Sequence, residues 1–418
     1  MGADDGWMGM TMTSIRRPDS RFGQIGRFAV AVPLAGALAL AGCIGGNGGD
    51  GPDGAAGPEV TAVILEPADA TSDVITATEI VFTTENAADA SIELAELDGS
   101  TVDGELNEEG TGWLPATQLE YETTYVATLT AVGPEGQNAI TTSTFTTMAE
   151  PDQTIRVFSF LGSEAVVGVG MPLRIEFKDD GDNLQPIPEE HRAEVESRMI
   201  VRSDPPQEGS WRWVSGSEVH YRPREYWQPG TQIHYRLATG GLPVGDGLYL
   251  RNDLSVNLAV GNEVRMDVDA ASRQMTVTVD GEVARTIPVS LGRPDFPSSS
   301  GTFVIMEKLT ETVFDTREEF GPEEGYVVDI EYAMRLTYGG EFMHATVRSG
   351  EELGADNVTH GCINMARDNA EWLFGITHRW GDPVTVEGTI RSAEPGNGWT
   401  DWNLSWEEYQ QGSALFGG

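Results

Sequence analysis

The sequence predicts a mainly β protein: two β-sandwich modules in series, then a third β-rich domain with a short helix after Cys362. Three observations carry this expectation. Between Val60 and Val260, short runs of alternating apolar and polar residues recur between Gly, Asp and Asn turns, the pattern of half-buried strands. Fifty glycines and 22 prolines in 418 residues favour strands and turns over long helices. Past Asn262 the alternation resumes around a hairpin signal, Asp280-Gly281. A chain of this length makes about two to four domains.

Residues 1–43 read as a targeting segment. Arg16, Arg17, Arg21 and Arg27 precede an apolar run from Phe28 to Leu40, shorter than the roughly 20 residues that span a bilayer. The run ends in Leu40-Ala-Gly-Cys43, which resembles the bacterial lipobox. That resemblance implies a diacylglycerol group on Cys43 and a protein anchored on the outer face of the cytoplasmic membrane. The plainer alternative is a cleaved signal peptide with an incidental cysteine. Residues 44–59 are Gly-rich and read as a flexible linker. A net charge of −40 argues against nucleic acid as a partner, because a polyanion is repelled.

The first module, residues 60–150, shows strand patterns at Val60–Leu65, Glu79–Thr83, Ser91–Leu94, Thr124–Thr130 and Thr141–Phe145. Leu119-Glu-Tyr-Glu-Thr-Thr-Tyr125 resembles the start of a strand in bacterial immunoglobulin-like modules. The stretch holds no histidine. The second module, residues 151–260, alternates through Gly168–Phe177 and contains a helix-like run, Glu189–Arg198. Trp211, Trp213, Tyr221 and Tyr235 stand at alternating positions and are expected in the core. His191, His220 and His234 lack metal-ligand spacing and are expected to be structural.

In the third domain, residues 261–390, Val264, Met266 and Val268 alternate, as do Met275, Val277 and Val279. The run from Ile287 to Ile305 is Gly- and Pro-rich and reads as a shaped loop before a strand. Residues 364–374 read as a helix with Ala370, Leu373 and Phe374 on one face and Gly375 as its stop. A last strand is expected at Val384–Val386. The tail, residues 391–418, carries Trp399, Trp402, Trp406 and Tyr409 and reads as a peg packed against neighbouring domains.

Chemistry concentrates in Asn357-Val-Thr-His-Gly-Cys-Ile-Asn364. Cys362 is one of two cysteines, and with Cys43 assigned to the lipobox no second cysteine remains for an intramolecular disulfide. Two of the chain's six histidines lie near it: His360, and His344, which stands 16 residues before His360 in a strand-like run. The bland reading is a buried structural thiol. The sharper one is a thiol nucleophile with a histidine base. On that reading Cys362 lies where a loop turns into a helix, which lowers a thiol pKa. Gly361 allows close backbone approach, and N–H groups at Gly361 and Cys362 could hold an oxyanion. His344 is expected as the base, and His360 as a structural or oxyanion-side group.

These residues resemble the L,D-transpeptidase (YkuD-type) family. The match runs through His344, Thr359-His-Gly-Cys-Ile-Asn364, Ser290-Leu-Gly-Arg-Pro, Pro297-Ser-Ser-Ser-Gly-Thr-Phe303 and Ala333-Met-Arg…Tyr338. The domain order is similar to that of actinobacterial members: lipoprotein signal, two immunoglobulin-like domains, catalytic domain, Trp-rich C-terminal piece. The resemblance implies peptidoglycan stem peptides as partners, a donor tetrapeptide and an acceptor amine, joined 3→3 through a Cys362 thioester, with no cofactor or metal. It further implies that Tyr326 lines the donor pocket and that Asn364 is the motif asparagine. Thr359 keeps the hydroxyl of the usual serine, and Ala345, where Ser or Gly is common, offers its carbonyl to orient the imidazole; both are assigned to the substrate side. Residues 346–358 would form a lid lacking the family's aromatic. The alternatives are an L,D-carboxypeptidase and a non-catalytic wall-binding lipoprotein.

Overall fold

The computed structural model describes residues 58–417 apart from residues 108, 316, 318–320, 322, 324 and 326. The targeting segment with Cys43, most of the linker and Tyr326 lie outside the described residues.

Alternation in the first module becomes two antiparallel-rich sheets. One orders the strands Thr61–Glu66, Ile80–Glu85, Gly112–Pro115 and Gly104–Leu106; the other orders Thr71–Val74, Asn138–Thr147, Thr124–Val132, Asp89–Glu96 and Thr101–Val102. Along Thr124–Val132 every second residue is buried, as expected of a strand with one face on a core. Ile80, Phe82 and Trp113 of one sheet share that core with Leu94, Tyr125, Leu129 and Phe145 of the other. The Tyr125 hydroxyl accepts the Glu120 N–H at 3.1 Å, a tyrosine corner that ties the incoming loop to its strand.

The second module repeats the plan. A five-stranded sheet (Gly209–Trp213, Glu218–Pro223, Leu173–Lys178, Thr154–Phe158, Tyr249–Leu250) faces a four-stranded one (Ala165–Val167, Leu254–Val260, Gln232–Leu237, Met199–Asp204). Its aromatics are core, as their spacing predicts: Phe177 stacks on Trp213 at 5.5 Å, Trp211 meets Tyr221 edge-on at 5.2 Å, and Tyr235 is fully buried. The helix-like run is a helix, Glu189–Ser197.

The third domain is built on a ten-stranded sheet whose order is 307–315, 327–335, 342–345, 363–365, 282–290, 274–279, 264–269, 383–387, 299–304, 391–392. The predicted hairpin joins Gln274–Val279 to Glu282–Ser290, with Asp280 and Gly281 at φ 50° and 83°, the left-handed pair that a two-residue turn needs. The helix differs from expectation. Residues 363–365 form a strand, and the helix is Arg367–Ile376. Asn364 and Met365 pair with His344 and Ala345 on one side and with Ser290 and Val289 on the other; two ladders outweigh the local helical pattern. Gly375 does not end the helix. The end is made by Lys308, whose Nζ donates to the carbonyls of Phe374 and Thr377 at 2.5 and 2.7 Å.

The tail docks on the second module. Trp399 joins that module's core, Trp402 Nε1 donates to the Gly170 carbonyl at 2.7 Å, and the Tyr409 hydroxyl donates to the His220 carbonyl at 3.1 Å. His220 is buried between Asp401 (2.9 Å) and Glu218 (2.7 Å). Burial works against its charge, but Asp401 and then Glu218 hold its pKa up at about 9. This histidine is structural, as its sequence surroundings predict. Two short helical turns in the tail, Asp401–Asn403 and Trp406–Gln410, had no signal strong enough to read; the second has a capping box closed by Ser405 and Glu408.

Candidate active site

Two parallel strands bring the expected chemistry together. Phe342–Ala345 pairs with Ile363–Met365 so that His344 lies opposite Asn364. Side chains on paired residues of neighbouring strands share a face, and residues two apart on one strand share it as well. Cys362 precedes its strand directly and stands two residues before Asn364. His344, Cys362 and Asn364 therefore converge, and all three line one cavity of about 190 Å³. All three are also nearly buried, at 5, 6 and 5% exposure.

His344 is poised as a neutral base. Its Nδ1–H donates to its neighbour's carbonyl, that of Ala345, at 2.7 Å, which fixes the tautomer and leaves Nε2 as the basic nitrogen. Burial pushes its pKa down to about 4, and the bond to Ala345 offsets this only in part. Ala345 itself is buried in the core and is not among the residues lining the cavity, so its part is positional. Its carbonyl holds the imidazole, the part the sequence reading gave that carbonyl.

The nucleophile loop is held by hydrogen bonds to its own backbone. The Thr359 hydroxyl donates to the Cys362 carbonyl at 2.7 Å and accepts the Gly361 N–H at 3.2 Å. The Gly361 carbonyl accepts from Ser298 Oγ at 2.6 Å, and Ser298 Oγ accepts the Gly292 N–H at 2.9 Å. Gly361 sits at φ 125°, a backbone state that only glycine adopts readily. Because its N–H is engaged by Thr359, Gly361 does not present the oxyanion donor expected of it. Thr359 both lines the cavity and clamps the loop. The Cys362 thiol donates to the Gly340 carbonyl at 3.7 Å. The helix expected right behind Cys362 begins only at Arg367, so its dipole is not aimed at the sulfur.

His360 turns away. Its ring packs against Phe296 at 4.9 Å and does not line the cavity, which leaves the structural role of the two proposed for it. Asn364 does the opposite: it lines the cavity, and its buried Oδ1 has no hydrogen-bond partner among the described residues.

The Gly- and Pro-rich loop after Ser290 turns out to be the brace of the nucleophile loop. Ser290 Oγ donates to the Asp356 carbonyl at 2.7 Å, the Leu291 N–H donates to Asn357 Oδ1 at 3.1 Å, and Gly292 bridges Thr359. A Cβ on Gly292 would lie 2.1 Å from the Phe296 carbonyl oxygen, so the loop requires glycine there.

Several residues escaped sequence reasoning. Phe314, Val328 and Ile330 form an apolar wall of the cavity; Val347, Arg348 and Val358 also line it, from the segment expected as a lid, residues 346–358. Glu341 is a buried carboxylate beneath Gly361 that accepts from Ser299 N and Oγ at 3.0 and 2.7 Å. Its signal was an acidic residue directly preceding an apolar strand. The apolar wall had none, because its strands look like any other alternating strand.

Known proteins match this chain in sequence. A bacterial Ig domain family matches residues 71–243, and an L,D-transpeptidase catalytic domain family matches residues 263–386. L,D-transpeptidase 5 of Mycobacterium tuberculosis is 31% identical over 359 residues, covering 84% of this chain and 76% of that protein. L,D-transpeptidase 2 of the same species is 29% identical over 329 residues, 78% of each chain. A solved L,D-transpeptidase from Mycobacterium smegmatis is 29% identical and covers 56% of this chain and 99% of its own, with a TM-score of 0.44.

Proposed function

The chain belongs to the L,D-transpeptidase family, and from that premise we propose that it makes 3→3 peptidoglycan cross-links with Cys362 as nucleophile and His344 as base. The observation that carries the assignment of residues is the convergence of a buried thiol, a neutral imidazole and a carboxamide with an unsatisfied oxygen on one cavity.

The chemistry follows from the geometry. His344 Nε2 takes the proton of the Cys362 thiol as Sγ bonds to the carbonyl carbon of the donor's third residue, diaminopimelate. The C–N bond to the terminal D-alanine breaks, and His344 returns its proton to the leaving amine. A thioester remains on Cys362. The side-chain amine of an acceptor stem then attacks, its excess proton passes to His344, and the C–S bond breaks to give the cross-link and restore the thiol. Asn364 is the accessory group, its carboxamide available to the stem peptide's own amides.

A low pKa suits His344 to this role. A histidine that stayed protonated at neutral pH could not accept the thiol proton; burial keeps this one neutral. The same nucleophile would open a carbapenem ring and retain it as a thioester. Anchoring through Cys43 on the outer face of the cytoplasmic membrane is proposed from the lipobox-like sequence alone. Replacing Cys43 by serine should move the protein from the membrane to the soluble fraction; unchanged fractionation contradicts the anchor.

Purified disaccharide-tetrapeptide, given as donor and as mass-labelled acceptor, tests the activity. Cross-linked dimer with released D-alanine supports transpeptidation. Tripeptide alone, with no dimer, supports the L,D-carboxypeptidase reading.

A further inference from the structure

The cavity around Cys362 contains one feature that the mechanism above does not use. Among the described residues lining it, Arg348 alone carries a permanent charge; His344 is held neutral by burial. The rest of the wall is apolar or uncharged, with Phe314, Ile330 and Val347 prominent. An arginine side chain costs conformational entropy to order, and its planar guanidinium matches a carboxylate with two parallel hydrogen bonds.

The backbone that presents Arg348 is well tied. Thr346 N–H donates to the Met365 carbonyl at 2.8 Å, extending the strand pairing one residue past Ala345. The Arg348 N–H donates to Thr346 Oγ1 at 3.2 Å, and that hydroxyl donates to Glu352 at 2.8 Å. Glu352 accepts from Thr346, and Glu341 accepts from Ser299 and lies 3.5 Å from Arg391. Arg348 itself enters no salt bridge with the described residues. Arg348 is exposed as well as part of the cavity lining, so its guanidinium is open to a ligand arriving from solvent.

Long-range electrostatics sharpen the point. The chain carries a net charge of −40 and repels an anionic peptide. An exposed cation in the cavity lining supplies local attraction for an anionic substrate, with a short reach set by screening of about 10 Å.

We infer that Arg348 is a specificity-determining residue that binds a carboxylate of the stem-peptide donor, either that of the terminal D-alanine or the second carboxylate of diaminopimelate. The inference rests on the transpeptidase reading. It makes the protein selective for donors in which that carboxylate is free rather than amidated. Losing a charge-assisted, two-point contact should cost about 10- to 100-fold in kcat/KM.

The test uses the full chain and three tetrapeptide donors: the free acid, its C-terminal D-alanine amide, and its diaminopimelate amide. D-Alanine or D-alanine amide release and dimer formation are followed by mass spectrometry. The wild type should prefer the free acid over one of the two amides by about 10- to 100-fold, and the disfavoured amide identifies the carboxylate. In Arg348→Gln that preference should collapse to within about threefold, through KM rather than kcat, and Arg348→Lys should restore part of it. A wild type indifferent to both amides overturns the inference. So does an equal loss on all three donors in Arg348→Gln, which would mean that the cation acts on the thiol or on the loop. If the wild type turns over no donor, or if Cys362→Ala turns over all of them, the transpeptidase reading fails first and this inference falls with it.

Discussion

Thr359 offers a sharp test of how the nucleophile is held. Its hydroxyl makes two buried hydrogen bonds, one to the Cys362 carbonyl and one from the Gly361 N–H. Thr359→Val keeps the shape of the side chain and deletes both. A buried backbone group left without its partner costs about 1–3 kcal/mol, so the loop should lose about 2–6 kcal/mol if neither group finds water. Even about 2 kcal/mol of misplacement at the thiol corresponds to roughly a 30-fold fall in kcat/KM. Thr359→Ser retains the hydroxyl and should stay within about threefold of the wild type. The assay is the rate of D-alanine release from tetrapeptide, run beside the rate of iodoacetamide labelling of Cys362. If Thr359→Val matches Thr359→Ser in both rates, the clamp has no role in placing the nucleophile and the reasoning is refuted.

Other expectations follow from the same geometry. Replacing His344 by glutamine should lower acylation by about 10²- to 10⁴-fold while leaving the thiol reactive to iodoacetamide at high pH; full turnover in that variant would remove His344 as base. Gly361→Ala should cost about 1–3 kcal/mol in stability through its φ of 125°, measurable by denaturant unfolding, and an unaltered midpoint would contradict the strain argument. The two buried histidines should give pH slopes of opposite sign. His344 has its folded pKa lowered to about 4 from 6.5, so the unfolded chain binds more protons between those values and stability should rise with pH there. His220 has its folded pKa raised to about 9, so stability should be fully present below 6.5 and fall as pH approaches 9. Each slope amounts to about 3 kcal/mol, and each should vanish in the corresponding His→Gln variant; persistence of either slope would exclude that histidine as its source. Incubation with a carbapenem should raise the intact mass by one drug molecule, on the peptide containing Cys362, and an unshifted mass would count against the thiol as nucleophile.

Much of this architecture was legible because its signals are local. Period-two alternation marked the strands of both sandwiches, Asp280-Gly281 marked the hairpin, and the aromatics of the second module stood where a core needs them. The pairing of Cys362 with His344 was legible for a different reason: cysteine and histidine are so scarce here that two of them near one motif narrow the options. Tertiary context hid the rest. Residues 363–365 look helical alone, and become a strand because two neighbours hydrogen-bond to them. Gly361 was read as an oxyanion donor, yet a threonine two residues earlier takes its N–H, a competition that spacing cannot reveal. Glu341 and Arg348 are charged residues of ordinary appearance in sequence; one matters through its burial and the other through the cavity it faces.

The central claim is that Cys362 carries the acyl group. The direct measurement is a rapid acid quench of the full chain with tetrapeptide donor, followed by peptide mapping by mass spectrometry, with and without an acceptor amine. The account predicts a donor-minus-D-alanine adduct on the peptide containing Cys362, which disappears on addition of acceptor as dimer forms. Turnover without any adduct on that peptide, or an adduct mapped to another residue, would contradict it.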